Sequence, residues 1–208
     1  MTSELYSAYV VATLIVLAIP GPTIMLVVSY AITQGRKSAF ASVMGVGLGD
    51  ATAAAVSLMG LGAILAASAD AFTVLKWIGA TYLVWLGIKM WRSRPQVLGS
   101  QQVPDVSNRK IFWHAYLVTA LNPKGIVFFM AFLPHFISPQ APVIPQLTLL
   151  GMTFVVLGIV NAAAYALVAA AIGQKLRNPS LLRLVNKVGG GFLISAAAMT
   201  AAMQRSST

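Results

Sequence analysis

The chain contains no cysteine among its 208 residues. Disulfides, thiolate metal sites and a thiol redox relay are therefore excluded. Charge is also scarce, because only 9% of the residues are charged, whereas an ordinary soluble domain has about 25%. The acids are Glu4, Asp50, Asp70 and Asp105. So few charges cannot cover the surface of a soluble globular protein with polar groups.

Apolar residues make up 58% of the chain, and the mean hydropathy is +0.82. This composition predicts an all-α integral membrane protein. A membrane-spanning helix needs about 20 mostly apolar residues, and six segments meet that requirement. The predicted spans are residues 5–31, 39–67, 72–91, 111–136, 146–173 and 187–204.

The 14 basic residues give a net charge of +10, and they lie in short segments between apolar runs. That placement, without a face that mixes aromatic and basic residues, argues against nucleic acid as a partner. Because cytoplasmic loops are enriched in Lys and Arg, three connections are predicted to be cytoplasmic and both termini to lie outside. Eleven basic residues fall in those connections: Arg36, Lys37, Lys89, Arg92, Arg94, Arg109, Lys110, Lys175, Arg177, Arg183 and Lys187.

The longest polar stretch divides the chain into two halves. Residues 93–109 contain two prolines and a glycine, and they are typical of a flexible linker. We predict one transmembrane domain over residues 1–208, with halves at 1–92 and 110–208. Each half has three spans, an odd number, so the halves would enter the membrane in opposite senses. This arrangement is the inverted repeat of many secondary transporters.

Proline interrupts spans 1 and 4 at a depth where a membrane helix would otherwise be continuous. The first interruption is Pro20-Gly21-Pro22 and the second is Asn122-Pro123-Lys124. Proline removes a backbone donor, so the carbonyls of Val16 and Ala18 should be free to bind a cation or an ammonium group. Paired broken helices indicate a transport site. The alternative is that each proline makes a plain kink.

The second interruption also has the residues of a helix start. Asn122 is a good N-cap, and proline is favoured at the first helical position, where Pro123 stands. A half-helix that begins there would turn its positive end toward the protein interior and would suit an anion.

Asp50 is the only acid predicted well inside a span, where an ionised carboxylate is costly. Gly47 and Ala54 share its helix face, which leaves room for water or a ligand. We interpret Asp50 as a proton or cation carrier; the alternative is an acid that a neighbour neutralises to fix helix packing.

Lys124 is the matching base. It could pair with Asp50 or bind a substrate carboxylate; the alternative is that its side chain only snorkels to the interface. Asn161 is a polar residue in the fifth predicted span, and we interpret it as a hydrogen-bonding contact between helices; the alternative is a contact with substrate.

Other chemistry is poorly supported by the sequence. The chain has no glycine-rich phosphate loop that ends in Lys-Ser or Lys-Thr, so energy from bound ATP is not expected. Serine and threonine have no partnered histidine and acid, and ligand residues for a metal are not clustered. We therefore expect no enzymatic activity, no cofactor and no metal.

The order and spacing of several short motifs resemble the lysine exporter (LysE) superfamily, and specifically its homoserine/threonine efflux (RhtB) branch. The resemblance covers nearly the whole chain. The motifs are Pro-Gly-Pro at 20–22, Gly-Val-Gly-Leu-Gly-Asp at 45–50, the segments 79–83 and 85–87, Asn-Pro-Lys at 122–124, Phe-Phe at 128–129 and Phe-Leu-Pro at 132–134.

The resemblance implies an exporter of amino acids and related metabolites in the bacterial inner membrane, driven by the proton gradient. It also implies that Asp50 and the two proline motifs form the site. We hypothesise proton antiport of a small zwitterion similar to homoserine or threonine, with the lipid bilayer as the surroundings. The alternatives are an exporter of another small solute or ion, a channel of related fold, a membrane enzyme and an inactive partner subunit. A homodimer is compatible with the sequence, but no residue requires one.

Overall fold

The computed structural model describes residues 1–67, 69–92, 103, 105–138, 140–172, 187, 191, 194 and 195. Most of the predicted sixth span at 187–204 and most of the linker at 93–109 therefore lie outside the described residues. Within the described ranges every regular element is helical. The all-α part of the prediction is confirmed.

The helices follow the five predicted spans that fall in the described ranges. They are α1 (Ser3–Ala18), α2 (Pro22–Ala67), α3 (Ala69–Arg92), α4 (Asn108–Ala120), α5 (Pro123–Val127) and α6 (Val143–Ile172). A π-helical turn at Phe128–Phe132 and a 3-10 turn at Leu133–Phe136 continue α5. By length and composition, two helices of the described part could cross a membrane: Pro22–Ala63 and Val143–Ala171.

Helix α2 is a hairpin of two arms, residues 22–34 and 36–67, joined at Gly35. The backbone at Gly35 has φ 76° and ψ −164°, a conformation that glycine adopts without a steric penalty. In the first arm the Tyr30 hydroxyl lies 2.9 Å from His114 Nδ1 on α4. In the second arm Ser38 Oγ donates to Asn108 Oδ1 at 3.1 Å, near the start of α4.

The direction of each arm follows from its contacts along α4. The first arm approaches the end of α4 at its own beginning, since Thr119 Oγ1 donates to Thr23 Oγ1 at 3.3 Å. The second arm reaches Thr119 only at Gly49, about three and a half turns after it begins. The first arm is therefore antiparallel to α4 and the second is parallel to it. A single residue, Gly35, reverses the chain between the first two predicted spans.

Two glycines let the second arm of α2 lie directly against α4. A methyl group at Gly45 would collide with the Phe112 carbonyl oxygen, and one at Gly49 would lie 2.7 Å from Thr119 Cβ. The interface therefore depends on the absence of side chains at these positions, as in other membrane helix pairs.

We expect Gly45→Ala to destabilise the protein by about 1–3 kcal/mol, because the α4 backbone has to move away. Gly60 lies on the same helix with open space beside it, so Gly60→Ala is the matched control. Alanine is the better helix former, and this control should leave the melting temperature unchanged or raise it. Thermal unfolding of both purified variants in one detergent measures the difference. Equal melting temperatures would contradict the assigned packing.

Helix α6 fixes the direction of the remaining elements. The Tyr9 hydroxyl on α1 donates to the Leu150 carbonyl at 2.8 Å, and Asn161 Nδ2 donates to the Leu17 carbonyl at 3.0 Å. Helix α1 therefore runs parallel to α6. The second arm of α2 runs antiparallel to both, with Gly47 beside Ile159 and Leu58 beside Gly151.

The described residues form two apolar clusters at different levels of the bundle. We call the first the aromatic core, because it contains Tyr9, Phe128, Phe129, Phe132, Phe136 and Phe154. We call the second the aliphatic core; it contains the first arm of α2 from Ile24 to Ala31 and three alanines of α6. Along α6, Phe154 belongs to the aromatic core and Ala162 to the aliphatic core. The level between these residues carries most of the polar groups described next.

Candidate substrate and proton site

The first interruption ends α1 among buried residues of the bundle, since Val16, Leu17 and Ile19 are buried. Helix α1 has 16 residues and is about 24 Å long, which is shorter than the roughly 30 Å hydrocarbon core. It ends at Ala18, and α2 begins at Pro22. The last four carbonyls of a helix have no partner within that helix, and lipid cannot supply one. Side chains of other helices must therefore bind them.

The ammonium group of Lys124 binds two of the carbonyls. Its Nζ donates to the Val16 carbonyl at 2.9 Å and to the Ile19 carbonyl at 2.9 Å. Lys124 belongs to the second interruption, so this pair of bonds joins the two proline-containing segments. A cation at the C-terminal end of a helix is also favoured by the helix dipole. The Val16 carbonyl, predicted to be free for a cation or an ammonium group, binds the Lys124 ammonium of the same chain. The Ala18 carbonyl, for which the same is predicted, accepts from a hydroxyl group instead.

Two side chains of α6 donate to the carbonyls of the two residues between Val16 and Ile19. Asn161 Nδ2 donates to the Leu17 carbonyl at 3.0 Å, and the Tyr165 hydroxyl donates to the Ala18 carbonyl at 2.7 Å. Asn161 thus makes the predicted contact between helices. All four carbonyls from Val16 to Ile19 accept a hydrogen bond from a side chain.

The second interruption is capped as predicted. Helix α4 ends at Ala120, and Asn122 Oδ1 accepts a hydrogen bond from the Lys124 backbone N–H at 3.1 Å, with Pro123 at the first helical position. The Asn122 carbonyl accepts from the next two amides, Gly125 and Ile126, at 3.1 and 3.3 Å. The first amides of this half-helix are therefore already bonded. Any anion at this place would bind to the Lys124 side chain rather than to the helix end.

A small polar network connects the two interruptions on the side of α4. Asn122 Nδ2 donates to Thr23 Oγ1 at 3.2 Å, and Thr119 Oγ1 donates to the same oxygen at 3.3 Å. Thr23 directly follows the Pro20-Gly21-Pro22 motif. The two motifs thus contact each other through Lys124 and again through Thr23. A methyl group at Gly21 would lie 3.9 Å from Lys124 Nζ, so this glycine borders the ammonium group.

Asp50 lies in the second arm of α2 with its carboxyl group against α6. A methyl group at Gly158 would collide with this carboxyl, so Gly158 provides the space that the carboxyl occupies. Lys124 is the basic group that interacts with Asp50 electrostatically. In the described part of the chain, however, the hydrogen bonds of the ammonium go to carbonyls and not to the carboxylate.

Gly47 is the predicted site residue that the structure sets apart. The space beside it is filled by the side chain of Ile159, whose Cγ1 would be 2.8 Å from a methyl group at position 47. The small-residue face around Asp50 is therefore packed at Gly47 and leaves room for the carboxyl only opposite Gly158. The other predicted site residues, from both proline motifs, Asp50 and Asn161, converge at one level of the bundle.

Sequence reasoning missed four residues of this level: Thr23, Thr119, Gly158 and Tyr165. Tyr165 stands four residues after Asn161, and Gly158 stands three before it, so all three share one face of α6. That spacing of a glycine, an amide and a hydroxyl along a strongly apolar span is the signal that could have found them. Thr23 and Thr119 carried no such signal, because single threonines are common in membrane helices.

In the described part of the chain, apolar helices form a bundle in which two proline-interrupted segments meet at Lys124, an arrangement that is typical of helical membrane transporters. The chain belongs to the LysE type translocator family, whose pattern matches residues 14–204. The predicted family is thereby confirmed, together with the prediction of a transmembrane efflux transporter.

Relatives of nearly equal length agree with this assignment. A homoserine/homoserine lactone efflux protein of Salmonella typhimurium is 33% identical over 97% of this chain and 98% of its own. The protein of the same name from Salmonella typhi is 32% identical over the same shares. A membrane protein of Vibrio cholerae without a described function is 32% identical over 93% of this chain and 95% of its own. No solved structure matches the chain.

Proposed function

We propose that this protein is a proton antiporter that exports a small amino acid or derivative, with homoserine, homoserine lactone and threonine as the first candidates. The observation that carries the proposal is the Lys124 ammonium on the carbonyls of Val16 and Ile19, at the level of the bundle where the Asp50 carboxyl lies beside Gly158. A place that binds one ammonium group can bind another. The names of the Salmonella relatives suggest the substrate class.

Substrate binding is proposed to be an exchange of ammonium groups. The substrate ammonium takes the place of the Lys124 ammonium on the buried carbonyls of Val16 and Ile19. Lys124 is released and binds the substrate carboxylate, with which it forms a charge-assisted hydrogen bond. The exchange replaces each lost hydrogen bond by a similar one, so the substrate enters without leaving a buried polar group unpaired.

Asp50 is proposed to couple the exchange to protons. A protonated Asp50 is compatible with Lys124 on the carbonyls of Val16 and Ile19. The substrate ammonium adds a second positive charge at this level of the bundle, and that charge favours an ionised Asp50 carboxylate. Substrate and proton therefore exclude each other at Asp50. Each conformational cycle moves one of them outward and the other inward, which is antiport. The space that Gly158 leaves beside the carboxyl supports this role, since it holds the acid at the level of Lys124 and Asn161.

The proposed architecture is a single domain over residues 1–208, built from inverted halves at 1–92 and 110–208. Two observations support it: both halves contain a broken span, and the first arm of α2 is antiparallel to α4. The distribution of basic residues supports a cytoplasmic linker at 93–109 and periplasmic termini in a bacterial inner membrane. The two broken spans then act as the elements that rock during transport.

Counterflow in proteoliposomes tests the proposed function. Vesicles with purified protein, loaded with unlabelled homoserine, are diluted into labelled homoserine, and the same is done with the lactone and with threonine. We expect saturable uptake of label above that of protein-free vesicles, and an imposed pH gradient should drive net substrate movement. Linear, non-saturable flux would indicate a channel, and no flux of any candidate would contradict the substrate class.

Replacing Gly158 should impair transport through Asp50. A methyl group at this position displaces the carboxyl, so we expect Gly158→Ala to reduce pH-driven export by about tenfold or more, a loss of about 1.4 kcal/mol of coupling. Gly151→Ala is the control, because it stands on the same helix and contacts only the flexible end of Leu58. Initial rates of both variants, at equal amounts of folded protein, decide the case. Equal export rates of Gly158→Ala and Gly151→Ala would show that transport does not depend on the place of the Asp50 carboxyl beside Gly158.

A further inference from the structure

The start of α4 and the start of the second arm of α2 form a groove that the transport mechanism does not use. The cavity has a volume of about 590 Å³. Arg36, Lys37 and Arg109 line one end of it together with Asn108. Within this lining there is no acid, and all three basic residues are exposed.

The other end of the same groove is apolar. Phe40 and Met44 follow Arg36 at one and two helical turns, and Phe112 follows Asn108 by one turn on α4. The side chains of Phe40 and Met44 are 69% and 48% exposed. Because the two helices are parallel here, the charged end and the apolar end of the groove lie at different depths. A membrane leaflet has the same order of groups, because its charged headgroups lie outside and its acyl chains lie beneath them.

We propose that this groove binds one anionic phospholipid from the membrane leaflet at that end. The phosphate and headgroup lie among Arg36, Lys37 and Arg109, and an acyl chain lies along Phe40, Met44 and Phe112. Basic clusters next to membrane helices attract anionic lipids, whereas a neutral lipid gains nothing from the cations. A free phosphate or an acidic metabolite would use the charged end but would leave the apolar end exposed. The exposed aromatic and methionine side chains are the reason to choose a lipid.

The site would also act on the hairpin at Gly35. Arg36 and Lys37 directly follow this residue, and Arg109 lies at the start of α4, which the second arm follows for several turns. A lipid phosphate that holds these three residues would keep the beginnings of the two helices together. This proposal does not depend on the transported substrate or on proton coupling.

Native mass spectrometry of the purified chain tests the proposal. The protein is mixed with equal amounts of palmitoyl-oleoyl phosphatidylglycerol and palmitoyl-oleoyl phosphatidylcholine, and the retained lipid is measured. We expect a preference for phosphatidylglycerol that falls by about tenfold or more in the triple variant Arg36→Gln, Lys37→Gln, Arg109→Gln. Lys110→Gln is the control, because Lys110 is an exposed neighbour that does not line the groove. It should bind as the original chain does.

Two further arms distinguish the sources of the phosphate. Glycerol 3-phosphate carries the charge without acyl chains, and we expect it to compete at least about tenfold less well than the lipid, since it cannot use the apolar end. Phe40→Ala should weaken lipid retention and leave glycerol 3-phosphate binding unchanged. Equal retention by the triple variant and the Lys110→Gln control would overturn the site. Equal competition by glycerol 3-phosphate would overturn the lipid as its occupant. Elution volumes on size exclusion show whether each variant is folded.

Discussion

Asp50→Asn is expected to reduce pH-gradient-driven export to the level of protein-free vesicles. Asparagine has nearly the shape of aspartate and fits the space beside Gly158, so the fold should survive. It cannot take up or release a proton, and the exchange of substrate for proton at position 50 is therefore lost. The measurement is net movement of labelled homoserine out of proteoliposomes after a pH jump.

Two comparisons make this result specific to Asp50. Asp105→Asn removes an exposed carboxylate before α4 and should export at the original rate. Counterflow without a pH gradient should continue in Asp50→Asn at a measurable rate, because exchange of one substrate for another does not require net proton movement. If the variant still exports substrate in response to the pH jump, Asp50 is not the proton carrier.

Lys124→Ala is expected to have the second large effect, and the effect should depend on the substrate. Homoserine has a carboxylate that Lys124 is proposed to bind, whereas homoserine lactone has an ammonium group and no free carboxylate. Transport of homoserine should fall by at least about tenfold more than transport of the lactone, since a buried charged hydrogen bond is worth more than about 1.4 kcal/mol. Counterflow of both labelled compounds in the same vesicles gives the ratio.

The same variant should also be less stable. Removal of the ammonium leaves the Ile19 carbonyl without its described donor and the Val16 carbonyl with only the 3.4 Å bond from the Ile19 N–H. An unpaired buried group that water does not reach costs about 1–3 kcal/mol. Lys110→Ala serves as the control, because Lys110 is exposed and the carbonyls of Val16 and Ile19 are bound by Lys124 instead. Adding substrate should raise the melting temperature of Lys124→Ala, since the substrate ammonium can replace the missing lysine ammonium on the carbonyls. Equal losses of homoserine and lactone transport would count against the proposed carboxylate contact.

The sequence predicted the two interruptions because proline has a direct effect on the backbone. Pro20 and Pro123 each mark the place where a helix stops or restarts, and Asn122 caps the restart as its side chain predicted. Local chemistry decides such features, so neighbouring residues are sufficient information. The turn at Gly35 is narrower than the predicted connection between residues 31 and 39, because helix continues on both sides of this one glycine, which tolerates the backbone angles.

The partners of the freed carbonyls could not be predicted in the same way. Val16 and Lys124 are 108 residues apart, and Ala18 and Tyr165 are 147 apart. Which donor meets which carbonyl depends on the rotation and the axial position of α6 and α5 against α1. Those quantities are set by packing of the aromatic and aliphatic cores as a whole, and no short motif records them.

Gly47 and Gly158 show the limit of reasoning from one helix. A glycine beside an acid predicts space, but whether the space stays open depends on the facing helix. Ile159 fills the place beside Gly47, and only one residue earlier on α6 Gly158 leaves room for the Asp50 carboxyl. The small residue that matters to the acid is therefore on the neighbouring helix, where the sequence around Asp50 gives no sign of it.

Proton release on substrate binding tests mutual exclusion at Asp50 most directly. Homoserine is added to the purified protein in weakly buffered detergent solution containing a pH indicator, over a series of starting pH values. We expect the original chain to release protons when homoserine binds, in the pH range where Asp50 holds its proton. Asp50→Asn should bind homoserine without releasing any. Binding without proton release by the original chain at every pH, or equal release by Asp50→Asn, would contradict mutual exclusion.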